Sequence, residues 1–443
     1  MNFFGIGLHH DHINTVNRTN IHGFRYKYGY LLIFACFFLY MSSMAAKGIF
    51  AAEQKYIVDL WNLQYSEASM ANTFYFVPYG LAQFLLFAIM KKINIFKYLF
   101  ITVPFAVLAT LLIGFSQNIY QIWIYFGLSG YFQAGIYCTC NYALTQNLPS
   151  RLCSTANRIM NLGYAVGTVI AYGICAICIG NDLWRLPYFI IGTVFFSSIV
   201  IFAVVLKKAR RFRKINEILD AKANSVVINN TKSTVDNTPL FLLNSKKKLA
   251  IFYVLELSFA FVITALYYGI MNYITSLLVD VHHLPDDVSI FVSILAPLTI
   301  AIGPMTMITI CDKKKNFVQN GIIASLITLP IPLLLALFYD LNVVFALALS
   351  VVYVVMLNSI KAIPLSISTF IMKKQINSAG YSAISNAVAS LSAGVAPTVI
   401  GKIIDVYGWS VSYYVLFITL AFTIVMAIFV NILIKRSSKK IIS

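Results

Sequence analysis

The sequence predicts an all-α membrane protein with twelve transmembrane helices in two pseudo-symmetric halves of six. Three observations predict it. The 443 residues are 60% hydrophobic and only 11% charged, whereas a soluble domain is near half apolar and about a quarter charged. Twelve apolar stretches each reach the ~20 residues that a helix needs to cross ~30 Å of hydrocarbon. Landmarks beside those stretches recur at a common spacing, so the first six resemble the last six. Composition thus excludes an ordinary soluble enzyme. It also excludes a disordered scaffold, since aromatic residues make up 15% and disordered chains lack them.

Taken in order, the apolar stretches of the first half are 29–52, 71–90, 95–115, 119–144, 158–179 and 186–206. Those of the second half are 249–278, 288–310, 317–339, 341–372, 381–404 and 411–434. They are helices because lipid offers no partner to a free backbone N–H or C=O. Barrel strands would be about half as long and would alternate in polarity, which these do not. A polar tail, 1–28, precedes the first stretch, which is long enough to remain as a span. The tail 435–443 follows the last. Between the halves, 207–248 opens on a basic run, passes through Asn, Ser and Thr and closes on three lysines, the pattern of a solvated linker. The halves echo one another. Asp182, Trp184 and Tyr188 recur as Asp405, Trp409 and Tyr413, and Lys91, Lys92 and Asn94 recur as Lys314, Lys315 and Asn316. A shared offset of 222 to 225 positions is the mark of a parallel duplication.

Basic residues set the expected orientation. With the N-terminus in the cytoplasm, cytoplasmic segments hold 28 of the 33 Lys and Arg, 11 of them between spans 6 and 7. The outer loops hold only Lys55, Arg185 and Lys402, and lean acidic through Glu53, Asp59 and Glu67. This asymmetry places both termini and the linker in the cytoplasm. The formal charge of +18 therefore reports topology and contact with anionic lipid, and nucleic acid is not a partner.

An ionisable residue deep in a span is costly and marks function. Lys47 in span 1 and Lys361 in span 10 are the cationic candidates for holding an anionic substrate. Glu256, one-third into span 7, is the candidate for a coupling proton, because a carboxyl can take up and release one inside the span. Uncharged polar residues cluster where a cavity wall would run: Gln133 and Tyr137 on span 4, Tyr164 on span 5, and Tyr267, Tyr268 and Asn272 on span 7. No Walker A, nucleophile elbow or HExxH motif is present, so neither a catalytic role nor a cofactor is expected. His282, His283, Asp286 and Asp287 sit side by side as a loop rather than at metal-ligand spacing, and no metal is expected. The cysteines read as small packing residues.

Twelve spans, a basic central loop and duplicated halves resemble the major facilitator superfamily. Within it, Gly130, Phe132, Gln133 and Cys140 on span 4, and Tyr79, Gly80 and Phe84 on span 2, resemble the organophosphate:phosphate antiporter family. So do Tyr268-Gly269-Ile270 on span 7 and Asp405 with Gly408-Trp409. The resemblance implies a secondary transporter that works by alternating access, monomeric, in a bacterial cytoplasmic membrane. It also implies that spans 1 and 10 line the central cavity. Of the family's phosphate-binding positions, the span 1 Arg falls at Lys47, the span 2 Lys at Gln83, the span 5 His at Tyr164 and the span 7 Arg at Tyr267. One cation of four is kept, and as Lys it lacks the bidentate fork of Arg. The substrate implied is a small organic anion or polar metabolite, moved with a coupling proton or in exchange for another anion. The rival readings are a proton-coupled exporter of amphipathic drugs, which would use the tyrosines and Glu256, and a non-transporting membrane sensor.

Overall fold

Backbone amides in lipid must find partners within their own segment, and the chain meets that demand with helices. The structure, a computed structural model, describes residues 18–89, 92–148, 150–224, 246–299, 302–313, 317–368 and 378–439. The expected tail segments 1–17 and 440–443 and the middle of the linker lie outside the described residues. In the first half the helices are α1 (Arg18–Trp61), α2 (Tyr65–Ile89), α3 (Ile95–Ile113), α4 (Ile119–Gln133), α5 (Ile136–Asn147), α6 (Ser150–Ile179) and α7 (Leu186–Asn224). The second half begins with α8 (Lys246–Met271), α9 (Ile274–Asp280), α10 (Asp286–Ser293), α11 (Leu295–Leu298) and α12 (Ile302–Lys313). It continues with α13 (Phe317–Thr328), α14 (Pro330–Phe338), α15 (Val343–Ala362), a π-helical turn (Ile363–Ile367) and α16 (Ser378–Lys439). Asn94, Asn118 and Asn342 start α3, α4 and α15 by accepting hydrogen bonds from amides of the first turn, the usual work of an N-cap.

Ten stretches of the described residues are long and apolar enough to cross a membrane. One of them, in α16, is long enough for two crossings, and the helix turns at Gly408 with φ 83°. That left-handed conformation suits a residue without Cβ. Helices α4 and α5 follow one another with a break at Gly135, where a Cβ would press to 2.5 Å from the Tyr98 ring. The expected twelve would require the two arms of α16 to be counted separately and α4–α5 as one.

Two boundaries differ from expectation. Helix α1 continues to Trp61, so the turn into α2 is only Asn62–Gln64 rather than an outer loop from Glu53 onward. Glu53, Gln54 and Lys55 are polar but buried between helices, and hydropathy cannot tell that from a loop. Helix α7 runs on to Asn224 and α8 opens at Lys246, so the linker is helical at both ends. Lys, Arg and Ala are good helix formers, and a basic run can extend a helix beyond the membrane.

Each half has its own core. One cluster is built from α1 to α7, joined by Ile290 and Ala393. The other is built from α8 to α16, joined by Val58, Tyr65 and Ala68. Where the halves meet, α2 lies along the first arm of α16. Gly401 makes this possible, since a Cβ there would stand 2.9 Å from the Ser66 amide nitrogen. Small residues allow such close approach between membrane helices. Phe34, Ile101, Ile177, Phe291 and Phe422 stay exposed on the flanks, as an apolar solvent permits.

Candidate functional site

Lys47 sits on the stretch of α1 where Ala45, Ala46 and Gly48 keep the helix narrow. A Cβ at Gly48 would come within 3.1 Å of the Ala171 Cβ, so α1 and α6 are in close contact there. The Lys47 ammonium lies over three rings from both halves: Phe76 at 4.5 Å, Tyr164 at 5.0 Å and Tyr268 at 5.4 Å. It also donates to the Tyr268 hydroxyl at 3.4 Å. The Tyr164 and Tyr268 hydroxyls are 3.3 Å apart, which joins α6 to α8 across the interface. Each ring face is worth on the order of 1–2 kcal/mol to a desolvated cation. The rings make a tolerable setting, not a neutral one.

Lys361 arrives from the end of α15, just before the π-helical turn. Its ammonium stands 3.9 Å over the Tyr267 ring and 5.5 Å from that of Tyr268. Tyr267 and Tyr268 meet edge to face at 4.9 Å, so the two lysines, one from each half, share one aromatic pair. Their nitrogens are no farther apart than the sum of their two distances to the Tyr268 ring. Among the described residues the ion pairs are Lys55–Asp59 and Lys55–Asp280, and no carboxylate is within ion-pair reach of Lys47 or Lys361. The result is two lysine side chains between the halves without an acidic partner among the described residues.

The other expected site residues are not all gathered there. Tyr164 and Tyr267 belong to the lysine cluster. Tyr137 is adjacent to the α1 face, with its ring 5.3 Å from Tyr40 and its hydroxyl donating to Asn161 at 3.3 Å. Gln133 and Asn272 are occupied locally. Gln133 accepts from Tyr75 at 3.2 Å and donates to Ser129 at 2.7 Å inside the first half. Asn272 donates to the Tyr268 carbonyl at 2.8 Å, where the helix breaks before α9. Gln83 has a buried side-chain oxygen without a hydrogen-bond partner. Phe76 was not among the expected site residues. The aromatic run on span 2 was its only trace in the sequence.

Glu256 lies apart. It is buried and lines a separate cavity of about 90 Å³ among α8, α13, the π-helical turn and the second arm of α16. One of its carboxyl oxygens has no hydrogen-bond partner. His282 is held by the Tyr339 carbonyl at 2.9 Å, and no metal-sized group of His, Cys, Asp or Glu occurs among the described residues.

At the end opposite the termini, the halves are tied together. The Asp405 carboxylate accepts from the amides of Tyr65 at 2.8 Å and Ser66 at 2.9 Å. It thereby caps the start of α2 from the other half, where the helix dipole favours an anion. Asp280 accepts from the Tyr65 hydroxyl at 2.5 Å and pairs with Lys55 at 2.8 Å. Ser69 and Tyr273 share a hydrogen bond beneath them. This layer closes the far end above the lysines.

A family model described as the Major Facilitator Superfamily matches residues 32–381. No curated protein matches the chain in sequence. Among solved structures, the fold is similar to that of a bacterial homolog of the human lysosomal transporter Spinster in an inward-facing, unoccupied conformation. That match has a TM-score of 0.67 at 14% identity, over 93% of this chain and 97% of that one. The nucleoside transporter NupG is similar with a TM-score of 0.64 at 12% identity, over 91% of this chain and 99% of that one. Likeness at such identity concerns the fold alone, and the narrower antiporter resemblance rests on its short motifs.

Proposed function

The chain belongs to the major facilitator superfamily, a membrane-embedded secondary transporter, and we propose that its substrate is a small organic anion or an anionic polar metabolite held between Lys47 and Lys361. The observation that carries this reading is the pair of lysine side chains on one aromatic platform, without an acidic partner among the described residues. Buried charge is expensive unless paired, and an anion entering between the halves would supply the missing partner to both lysines at once. Lys47 moves with the first half and Lys361 with the second. A ligand bridging them therefore favours the arrangement in which the halves are drawn together, which ties binding to alternating access. The rings of Phe76, Tyr164, Tyr267 and Tyr268 exclude water and sharpen the charge interaction.

With the termini in the cytoplasm, as the basic residues indicate, the Asp405 and Asp280 layer closes the outer side and the chain is in an inward-facing state. The Spinster homolog of similar fold was solved in such a conformation. For a proton-driven cycle, Glu256 is the acid of the second half that we assign as carrier. The alternative is exchange for a second anion at the lysine pair. Export of cationic drugs is disfavoured because the ring faces that would hold a cation are already taken by ammonium groups.

A thermal-shift screen of the purified protein against anionic, neutral and cationic metabolites tests the assignment, since a ligand that binds only the folded state raises its apparent stability. Stabilisation by one or more anions is expected. Stabilisation by cations alone would overturn it.

A further inference from the structure

We propose that the cavity beside Glu256 is a second binding site, for a membrane-dissolved primary alkylamine. The cavity of about 90 Å³ has apolar walls, among them Phe259, Val318, Ile322 and Phe422. Glu256 is the titratable group lining it. Its residue is 6% exposed, and one carboxyl oxygen has no hydrogen-bond partner. Among the described residues no Lys, Arg or His is within ion-pair distance of it, since the ion pairs there belong to Lys55. Ser368 neighbours the carboxyl, and the nearby Tyr381 hydroxyl is likewise buried without a partner. A buried carboxyl oxygen short of a partner calls for a ligand that brings an N–H donor.

The mouth of the cavity identifies the route. Phe422, on its rim, stands in a row with Ile418, Val425 and Phe429, all exposed. Their spacing of three and four puts them on one face of the second arm of α16, the side turned to lipid. Glu256 is eight residues beyond Lys248, or about 12 Å along the helix from the basic triplet at the membrane surface. A ligand that reaches it from the bilayer must cross hydrocarbon without net charge, which a free amine does and a quaternary ammonium does not. At the carboxyl one proton is shared between acid and amine. Whether drawn as an ammonium carboxylate or as an amine bound to a carboxylic acid, the pair has no net charge. The alkyl chain then lies along the apolar wall towards Phe422. Neither Lys47 nor Lys361 takes part, so this site stands or falls independently of the anion site.

The test is equilibrium binding of radiolabelled n-hexylamine to the full chain in lipid nanodiscs, with empty nanodiscs subtracted. Saturable binding is expected, displaced by unlabelled n-hexylamine at concentrations at least tenfold below those at which n-hexanol displaces it. Glu256→Gln should weaken it tenfold or more. Gly321→Leu should do so as well, because a side chain there fills the space beside Ile363, whose terminal methyl is already 2.8 Å from a Cβ built at Gly321. Lys47→Gln should bind hexylamine as the native chain does. Equal displacement by hexanol in the native protein, which needs no variant to fold, would overturn the proposal. So would native affinity in a folded Glu256→Gln or Gly321→Leu protein.

Discussion

Lys47 and Lys361 stand over the same ring, that of Tyr268, at 5.4 and 5.5 Å, although they come from different halves of the chain. Two ammonium groups so placed repel one another across a low-dielectric gap. An anion between them removes that repulsion and adds two attractions. In the reading proposed above, such an anion would also hold the halves around it.

Tyr268 is the link between the two lysines, and its hydroxyl contacts both Lys47 and Tyr164. Tyr268→Phe keeps the ring and removes those hydrogen bonds. Net hydrogen-bond contributions of about 1 kcal/mol predict an affinity loss of roughly five- to tenfold, with the protein still folded. A titration of the substrate that emerges from the screen, by calorimetry, checks it. A loss as large as that from removing a lysine would contradict the ring's role as platform.

Asp405 secures the far end by capping α2 from the other half. Asp405→Ala should cost the outer-closed state about 1 kcal/mol, the usual worth of a cap. Outward-facing molecules should therefore become several-fold more frequent. Labelling of a Lys47→Cys reporter, with native cysteines replaced, by an impermeant maleimide applied from that face should rise accordingly. Unchanged labelling would mean that the layer of Asp405, Tyr65 and Asp280 does not hold the gate.

Glu256→Gln keeps the shape of the side chain and removes its proton. If Glu256 carries the coupling proton, uptake driven by a pH gradient should fall to background while exchange of labelled for unlabelled substrate persists. Gradient-driven uptake at the native rate would remove Glu256 from the transport cycle and leave exchange at the lysine pair.

The distribution of basic residues predicts that reporter fusions at the N-terminus, within 225–245 and at the C-terminus all report the cytoplasm. An outside reading for any one of them would invert the assignment of the Asp405 layer to the outer face.

The architecture was legible because lipid imposes it: apolar runs of span length leave helices as the only solution. Lys47 and Lys361 drew attention for the same reason, as rare charges in those runs. Tyr268 as the shared ring, and Phe76 beside it, were not, because their contacts with the lysines join residues 29, 93 and 221 positions apart, which no local pattern encodes. Gln133 and Asn272 were read from polarity alone. A polar side chain in a span suggests a cavity, yet Tyr75 and Ser129 satisfy Gln133 inside one half, and Asn272 serves a backbone carbonyl at a helix break. Glu53 and Lys55 read as loop residues because hydropathy scores polarity alone, and both are buried by neighbouring helices at the end of α1.

The central claim, that Lys47 holds the negative charge of the substrate, is tested most directly by comparing substrate binding in the native chain, Lys47→Gln and Lys47→Arg. Removing one partner of a desolvated charge pair costs a few kcal/mol, so Lys47→Gln should lose affinity by roughly a hundredfold or more while remaining folded in the membrane. Lys47→Arg, which keeps the charge, should retain part of it. Normal binding of an anionic substrate by Lys47→Gln would contradict the account and leave Lys47 as a cation buried for the sake of its aromatic contacts alone.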